Sequence, residues 1–331
     1  MAKLNIKEVA RRANVSTATI SRVFNNKNNV SEKTKTKVNA IIQKENYCPN
    51  FYAKGLSAGK TAFIGCIVPN IANTYFSILL REIVKTAENK NYFVFSYDYA
   101  ANAAKERELV QSFIEKGITQ LIISSVDIEQ NFSFYNEHIE GGKKIIILNR
   151  NYYAKLTEHL FPYFAVNVNK GIDFAVDYLR QKKVKKLAYI KADLSYGEPL
   201  YLLNRIQNAL KKNNIMLPGK NIFSTKTNVD FKRQYLNEKL EDIIETIDAI
   251  ITPEDIIAFS ILSTFNKTIK DNKIDLLSLT RNKIHDYFDK SFPSVEHPIK
   301  KLASSSINAL IKWSEENIKP KSCEYTPRLI T

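Results

Sequence analysis

The chain has 331 residues, long enough for two or three compact units with cores of their own. Its net charge is +15, and residues 1–60 hold 12 Lys and Arg against 3 Glu, a net +9 that leaves +6 for the other 271 residues. No apolar run reaches the ~18 residues that span a bilayer. The N-terminus also lacks the charged start and apolar run of a secretory signal, which together exclude a membrane partner and place the chain in the cytoplasm. A small basic module on a near-ordinary body suits a nucleic-acid-binding head with a separate partner domain, although Lys-rich composition alone also describes a solvated face.

The basic module opens with Ile6, Val9, Ala10 and Ala13, spaced i, i+3, i+4 and i+7 along one face of a short helix. Asn14 follows, one of the few non-glycine residues that tolerate the left-handed backbone of a tight turn between helices. Val15 can plug the angle, and Ser16 can cap a second helix in which Ile20, Val23 and Phe24 face inward. Thr17, Ala18, Ser21 and Arg22 then face out. That set is small, polar and carries one cation, as a helix sliding against base edges and phosphates requires. An ordinary amphipathic hairpin that binds nothing fits the same spacing.

Ser31 can cap a third helix reaching about Glu45, with Val38, Ile41 and Ile42 closing the core over Val9 and Phe24. Pro49 stops that helix. Residues 47–60 then read as a linker that orders only when something packs against it, since Gly55 costs a helix there roughly 1 kcal/mol relative to Ala and the stretch is too short to hold alone.

From Ala62 onward, short β-branched runs alternate with helical patterns. Strands are expected near 62–68, 92–97, 119–124, 144–149, 163–168, 186–191, 221–224, 248–252, 274–279 and 292–296. Helices are expected near 74–90, 103–116, 170–182, 198–213, 229–245, 253–270 and 298–317. This alternation predicts a doubly wound α/β body, in number enough for two similar lobes with a ligand cleft between them.

Chemistry-bearing signatures are missing. The nine glycines form neither a dinucleotide fingerprint nor a P-loop, and no nucleophile elbow or zinc-protease pair occurs. Cys48, Cys66 and Cys323 lack metal or disulfide spacing, and the four histidines are scattered. Neither an enzyme nor a metal or other cofactor is expected.

The order of parts resembles the LacI/GalR family of bacterial transcriptional regulators. The matching words are Ile6-Lys-Glu-Val-Ala10, Asn14-Val-Ser-Thr-Ala-Thr-Ile-Ser-Arg-Val23, Val30-Ser-Glu-Lys-Thr34, Tyr47-Cys-Pro-Asn50 and Ala53-Lys-Gly-Leu56. In the body they continue through Ile64-Gly-Cys-Ile-Val-Pro-Asn70, Asn73-Thr-Tyr-Phe76, Leu148-Asn-Arg150 and Val166-Asn-Val-Asn169. The resemblance implies a three-helix helix-turn-helix headpiece (1–46), a hinge (47–61) and a two-lobed body like the periplasmic sugar-binding proteins. Its N-lobe would hold 62–162 and 292–322, and its C-lobe 163–291 and 323–331. It implies a repressor of a carbohydrate or related catabolic operon, binding a palindromic operator in double-stranded DNA as a homodimer and answering to a small-molecule effector.

Residue by residue, the resemblance puts Thr17, Ala18 and Arg22 on bases and Ser16, Thr19, Ser21 and Asn25 on or beside phosphates. Tyr47, Asn50, Ala53 and Lys54 fall in its hinge contacts, and Leu56 matches the leucine that wedges into the minor groove at the operator centre. Lys54 and Gly55 depart from the family's Ala-Arg-Ser-Leu. For the effector it implies Asn73, the aromatic pair Tyr75 and Phe76, Asn149 and Arg150, Phe231 and Asp255. The alternative for Tyr75 and Phe76 is helix-start core packing. Three positions depart from the family: Leu202 stands for a clamping Arg, Glu254 for an Asn, and Thr280, beside Arg281, for a ligand-binding Asp. An Arg–carboxylate sugar clamp is therefore not preserved. The effector is then more apolar, or anionic with Arg150 or Arg281 as anchor, or its binding has weakened. A soluble small-molecule-binding protein with a basic extension is the competing reading.

Overall fold

A computed structural model describes residues 6–24, 30–44, 62–125, 128–149, 161–193, 197–226, 238–282, 285 and 292–331. The chain divides into two units, Met1–Thr61 and Ala62–Thr331. In the first, α1 (Ile6–Ala13), α2 (Thr17–Phe24) and α3 (Glu32–Lys44) close on Val9, Ala10, Ala13, Ile20, Val23 and Val38. Val15, Val30, Ile41 and Ile42 pack against that core. Ile6 departs from the expected inward face and is 38% exposed. It is the first residue of α1, and a helical side chain leans toward the N-terminus, so it points past the small core.

The second unit holds two sheets. The first is built from β1 (Phe63–Val68), β2 (Phe93–Asp98), β3 (Gln120–Ile123), β4 (Lys144–Asn149), β5 (Tyr163–Val166) and β11 (Cys323–Tyr325), in the order β11-β5-β4-β3-β1-β2. The second is built from β6 (Leu187–Asp193), β7 (Ile222–Lys226), β8 (Ala249–Thr252), β9 (Asp275–Arg281), β10 (Ser294–Glu296) and β12 (Arg328–Ile330), in the order β12-β10-β9-β8-β6-β7. Every neighbouring pair is parallel except β10 with β12. β1, β3, β5 and β8 are buried at every position, as strands covered on both faces must be.

The covering helices are α4 (Thr74–Glu88), α5 (Ala103–Glu115), α6 (Ile128–Glu140), α7 (Val168–Gln181), α8 (Gly197–Lys212), α9 (Asp255–Asp271) and α10 (Ile299–Glu316). One side of the first sheet packs with α4 and α10, the other with α5 and α6. Helices α4, α5 and α7 each start on an asparagine (Asn73, Asn102, Asn167) whose Oδ1 accepts a first-turn amide at 2.8–3.0 Å.

Lobe membership departs from the expected division at three places. Tyr163–Val166, expected to open the second lobe, pairs in the first sheet, and Ser294–Glu296, expected in the first lobe, pairs in the second. Cys323–Tyr325 joins the first sheet and only Arg328–Ile330 returns to the second. The chain therefore crosses between lobes between Val166 and Val168, between Glu296 and Ile299, and between Tyr325 and Arg328. Helix α6, β11 and β12 were not expected. The helix expected over 229–245 falls largely outside the described residues, which resume at Glu238.

Candidate functional site

The turn between α1 and α2 is set by local chemistry. Asn14 lies at φ 52°, in the left-handed region. Its N–H donates to Arg11 O at 3.1 Å and that of Val15 to Ala10 O at 3.0 Å, the paired bonds of a Schellman C-cap with Asn in the glycine place. Ser16 Oγ accepts the Thr19 N–H at 3.1 Å and sits 3.0 Å from Thr19 Oγ1, capping α2. With Ile20 and Val23 buried, Ser16, Thr17, Ala18 and Arg22 are exposed while Thr19 and Ser21 are half-buried. No acidic residue occurs in α2, so Arg22 meets no carboxylate on its own helix. Replacing Asn14 with Ala should cost ~1–2 kcal/mol for the left-handed backbone, while Asn14→Gly stays close to the parent. Chemical denaturation checks this, and an Ala variant as stable as the Gly variant would contradict it.

In the body, the effector candidates are mostly engaged with protein. Asn73 is buried; its Oδ1 accepts the Tyr75 N–H at 2.8 Å and its Nδ2 donates to Glu254 Oε1 at 2.8 Å, joining the two lobes. The Tyr75 ring is only 3% exposed and meets Phe76 and His297 edge to face, 5.2 Å and 5.7 Å between centroids. Asp255 is wholly buried at the start of α9, accepting the Asn282 N–H at 2.6 Å and its Nδ2 at 3.0 Å, with His285 Nε2 at 3.6 Å. Burial pushes the Asp255 carboxyl pKa up, and the Asn282 hydrogen bonds pull against that. Thr280 is buried, with its N–H donated to Ser278 Oγ at 3.3 Å and its carbonyl accepting that hydroxyl at 2.9 Å. Arg281 Nη1 donates to Ser294 Oγ at 3.0 Å. It borders a cavity of about 670 Å³ that Ile78, Glu82, His297 and Lys301 also line.

Residues 5–50 match the family model described as bacterial regulatory proteins, lacI family. The chain is 27% identical to the HTH-type transcriptional regulator MalR of Clostridium butyricum over 93% of its own length and 92% of that protein. It is 25% identical to catabolite control protein A of Staphylococcus xylosus over 97% and 98%. Among solved structures, a lac repressor dimer bound to operator and the anti-inducer ONPF superposes with a TM-score of 0.83 at 17% identity, covering 100% of this chain and 98% of that one. Residues 5–50 carry a headpiece of the lacI type, and the chain is similar to LacI-type regulators over nearly its whole length. These relatives are transcriptional regulators and not enzymes, and the helix-turn-helix of this chain is of their DNA-binding type.

Several ligand contacts that the resemblance implies are placed otherwise. Tyr75 belongs to the first-lobe core, so the helix-start packing reading describes it, while Phe76 is half-buried beside that core. Leu202, where the family has a clamping Arg, packs half-buried against the second-lobe core. Asp255 and Thr280 are turned inward onto their own lobe. Of the expected set, the structure brings together Asn73 and Glu254 across the cleft. Asn149 ends β4, but its side chain, Arg150, Phe231, Asn25, Tyr47, Asn50, Ala53, Lys54 and Leu56 lie outside the described residues. Asn282, the partner of Asp255, was not expected. It stands 27 residues away with no local signal to mark it.

Proposed function

We propose that the chain is a repressor of a carbohydrate or related catabolic operon that binds a palindromic operator as a homodimer. Its operator affinity is set by a small-molecule effector in the cleft between the lobes. The observation that carries the reading is the exposed face of α2, where Thr17, Ala18 and Arg22 project from a helix held by the Asn14–Ser16 turn. The Arg22 fork suits guanine O6 and N7, and the Thr17 and Ala18 methyls suit a thymine methyl. Ser16, Thr19, Ser21 and Asn25 serve the phosphates, which position the helix.

Residues 47–61 act as the hinge, with Tyr47, Asn50, Ala53 and Lys54 on the duplex and Leu56 as the minor-groove wedge. A dimer is supported by β2, the edge of the first sheet, which leaves Phe93 53%, Phe95 36% and Tyr97 52% exposed. An apolar edge of this kind calls for a cover, and a second copy supplies one. The names of the relatives, a MalR regulator and a catabolite control protein, support a catabolic operon. A transcriptional regulator of this fold solved with cellobiose (CelR, TM-score 0.68) supports a sugar or related effector. No helix among the described residues is long and apolar enough to cross a membrane, which suits work on DNA in the cytoplasm.

Selection from a pool of random duplexes tests the reading. The full chain should enrich a two-fold-symmetric site with half-sites about one or two helical turns apart. A pool that gains no common sequence would overturn it.

A further inference from the structure

Asn73 and Glu254 each begin a helix at the carboxyl end of a strand, one in each lobe. The Asn73 amide has one orientation open to it. Its Oδ1 is committed to the Tyr75 N–H at 2.8 Å, so its NH2 group faces away from α4 and needs an acceptor. Glu254 supplies that acceptor, with its Oε1 2.8 Å from the Asn73 Nδ2. Glu254 occupies the N-cap position of α9 in extended backbone (φ −142°, ψ 149°), yet its side chain makes no capping bond to its own helix. The Asn, Asp or Ser usual at such a position would turn back onto the first turn. The longer carboxylate instead crosses to the other lobe and sits near the positive ends of two helices at once.

We propose that the Asn73–Glu254 pair is an interlobe latch, in which the Glu254 carboxylate takes the place of an effector's acceptor group and holds the lobes together without ligand. This rests on the reading that lobe arrangement sets operator affinity. It also defines what a ligand has to do: one that enters between the two caps must offer Asn73 an acceptor of its own and displace the carboxylate. The buried positions of Tyr75, Asp255 and Thr280 agree with a cleft in which contacts between protein groups have replaced contacts to a sugar ring.

An exchange of donor and acceptor tests the latch in the full-length chain. Asn73→Asp keeps the capping oxygen for Tyr75 but sets two carboxylates face to face. Glu254→Gln in that background restores the bond with its direction reversed. Amide hydrogen exchange is read at the first turns of α4 and α9. A bond to a charged group is worth ~1.5–3 kcal/mol, so Asn73→Asp should speed exchange in both turns about tenfold or more. The response of α9, in the lobe that carries no substitution, is the signature that a purely local role of Asn73 lacks. The double variant should return to within about threefold of the parent, which corresponds to ~0.7 kcal/mol. Glu254→Ala leaves the α4 cap intact and should release both turns as well. Unchanged α9 exchange in Asn73→Asp or Glu254→Ala, or a double variant as fast as Asn73→Asp, overturns the proposal. If the chain binds no operator, the regulatory reading fails while the exchange result still decides the latch.

Discussion

Ile20→Ala is expected to unfold the headpiece and abolish operator binding while leaving the body folded. Ile20 is fully buried in a core that, among the described residues, is made of six small or medium side chains shared by α1, α2 and α3. Truncating a buried Ile to Ala costs ~2–5 kcal/mol. A module of this size has a total stability of about 2–7 kcal/mol at 0.05–0.15 kcal/mol per residue, so the loss consumes most of it. The body keeps its own cores on both faces of each sheet and should melt as before. Calorimetry of the full chain together with a gel shift checks both halves. An Ile20→Ala chain that still shifts operator at parental affinity would contradict the placement of the recognition helix.

Glu106→Ala should destabilise the body by about 3 kcal/mol or more, at ~1–3 kcal/mol for each buried donor left without an acceptor. Glu106 is wholly buried on α5, and its Oε1 accepts from Ser125 Oγ at 2.9 Å, Asn131 Nδ2 at 3.0 Å and the Tyr135 hydroxyl. Asn131 is in turn held by the Ala103 carbonyl at 3.1 Å and by Arg107 Nε at 3.2 Å, so one carboxyl ties α5 to α6 and to the segment after β3. Burial pushes the Glu106 carboxyl pKa up, while the bonds from Tyr135, Asn131 and Ser125 pull it down. A carboxyl whose folded pKa is raised contributes its full stability below the ordinary Glu range and loses it as pH rises through the raised value. Glu106→Gln keeps the shape and one acceptor without the charge. It should therefore gain on the parent as pH rises through that window, read from denaturation midpoints at a series of pH values. A parent that gains on the Gln variant instead would contradict the sign.

The headpiece and the doubly wound class are legible in the sequence because their signals are local. Asn14, Val15 and Ser16 specify a turn within three residues, and the apolar spacing around them specifies which helical faces meet. The strands of the body announce themselves as short apolar runs between helical patterns. Helix α6 escapes this reading because its buried stripe is Ile128, Asn131 and Tyr135, with Phe132 and Phe134 between, a stretch with no clean apolar period. Strands of three residues such as β11 and β12 are too short to show a period of two. Which lobe a strand joins depends on pairings far along the chain, so β5, β10 and β11 could not be sorted from the sequence. The same holds at the cleft. An aromatic side chain at a helix start suits both a ligand wall and a core, and only the burial of Tyr75 decides between them. The reach of Glu254 to Asn73 spans 181 residues and leaves no trace in either local sequence.

The most direct test of the central claim is a fluorescence anisotropy titration of the full chain against its selected palindrome and a scrambled duplex, repeated over a range of salt. The palindrome should be preferred by about 10³-fold or more, with log affinity falling linearly as log salt rises. Arg22→Ala should cost ~1–3 kcal/mol of discrimination at the base it reads. Equal affinity for the palindrome and the scrambled duplex, unaltered by Arg22→Ala, would contradict sequence-specific operator binding through α2.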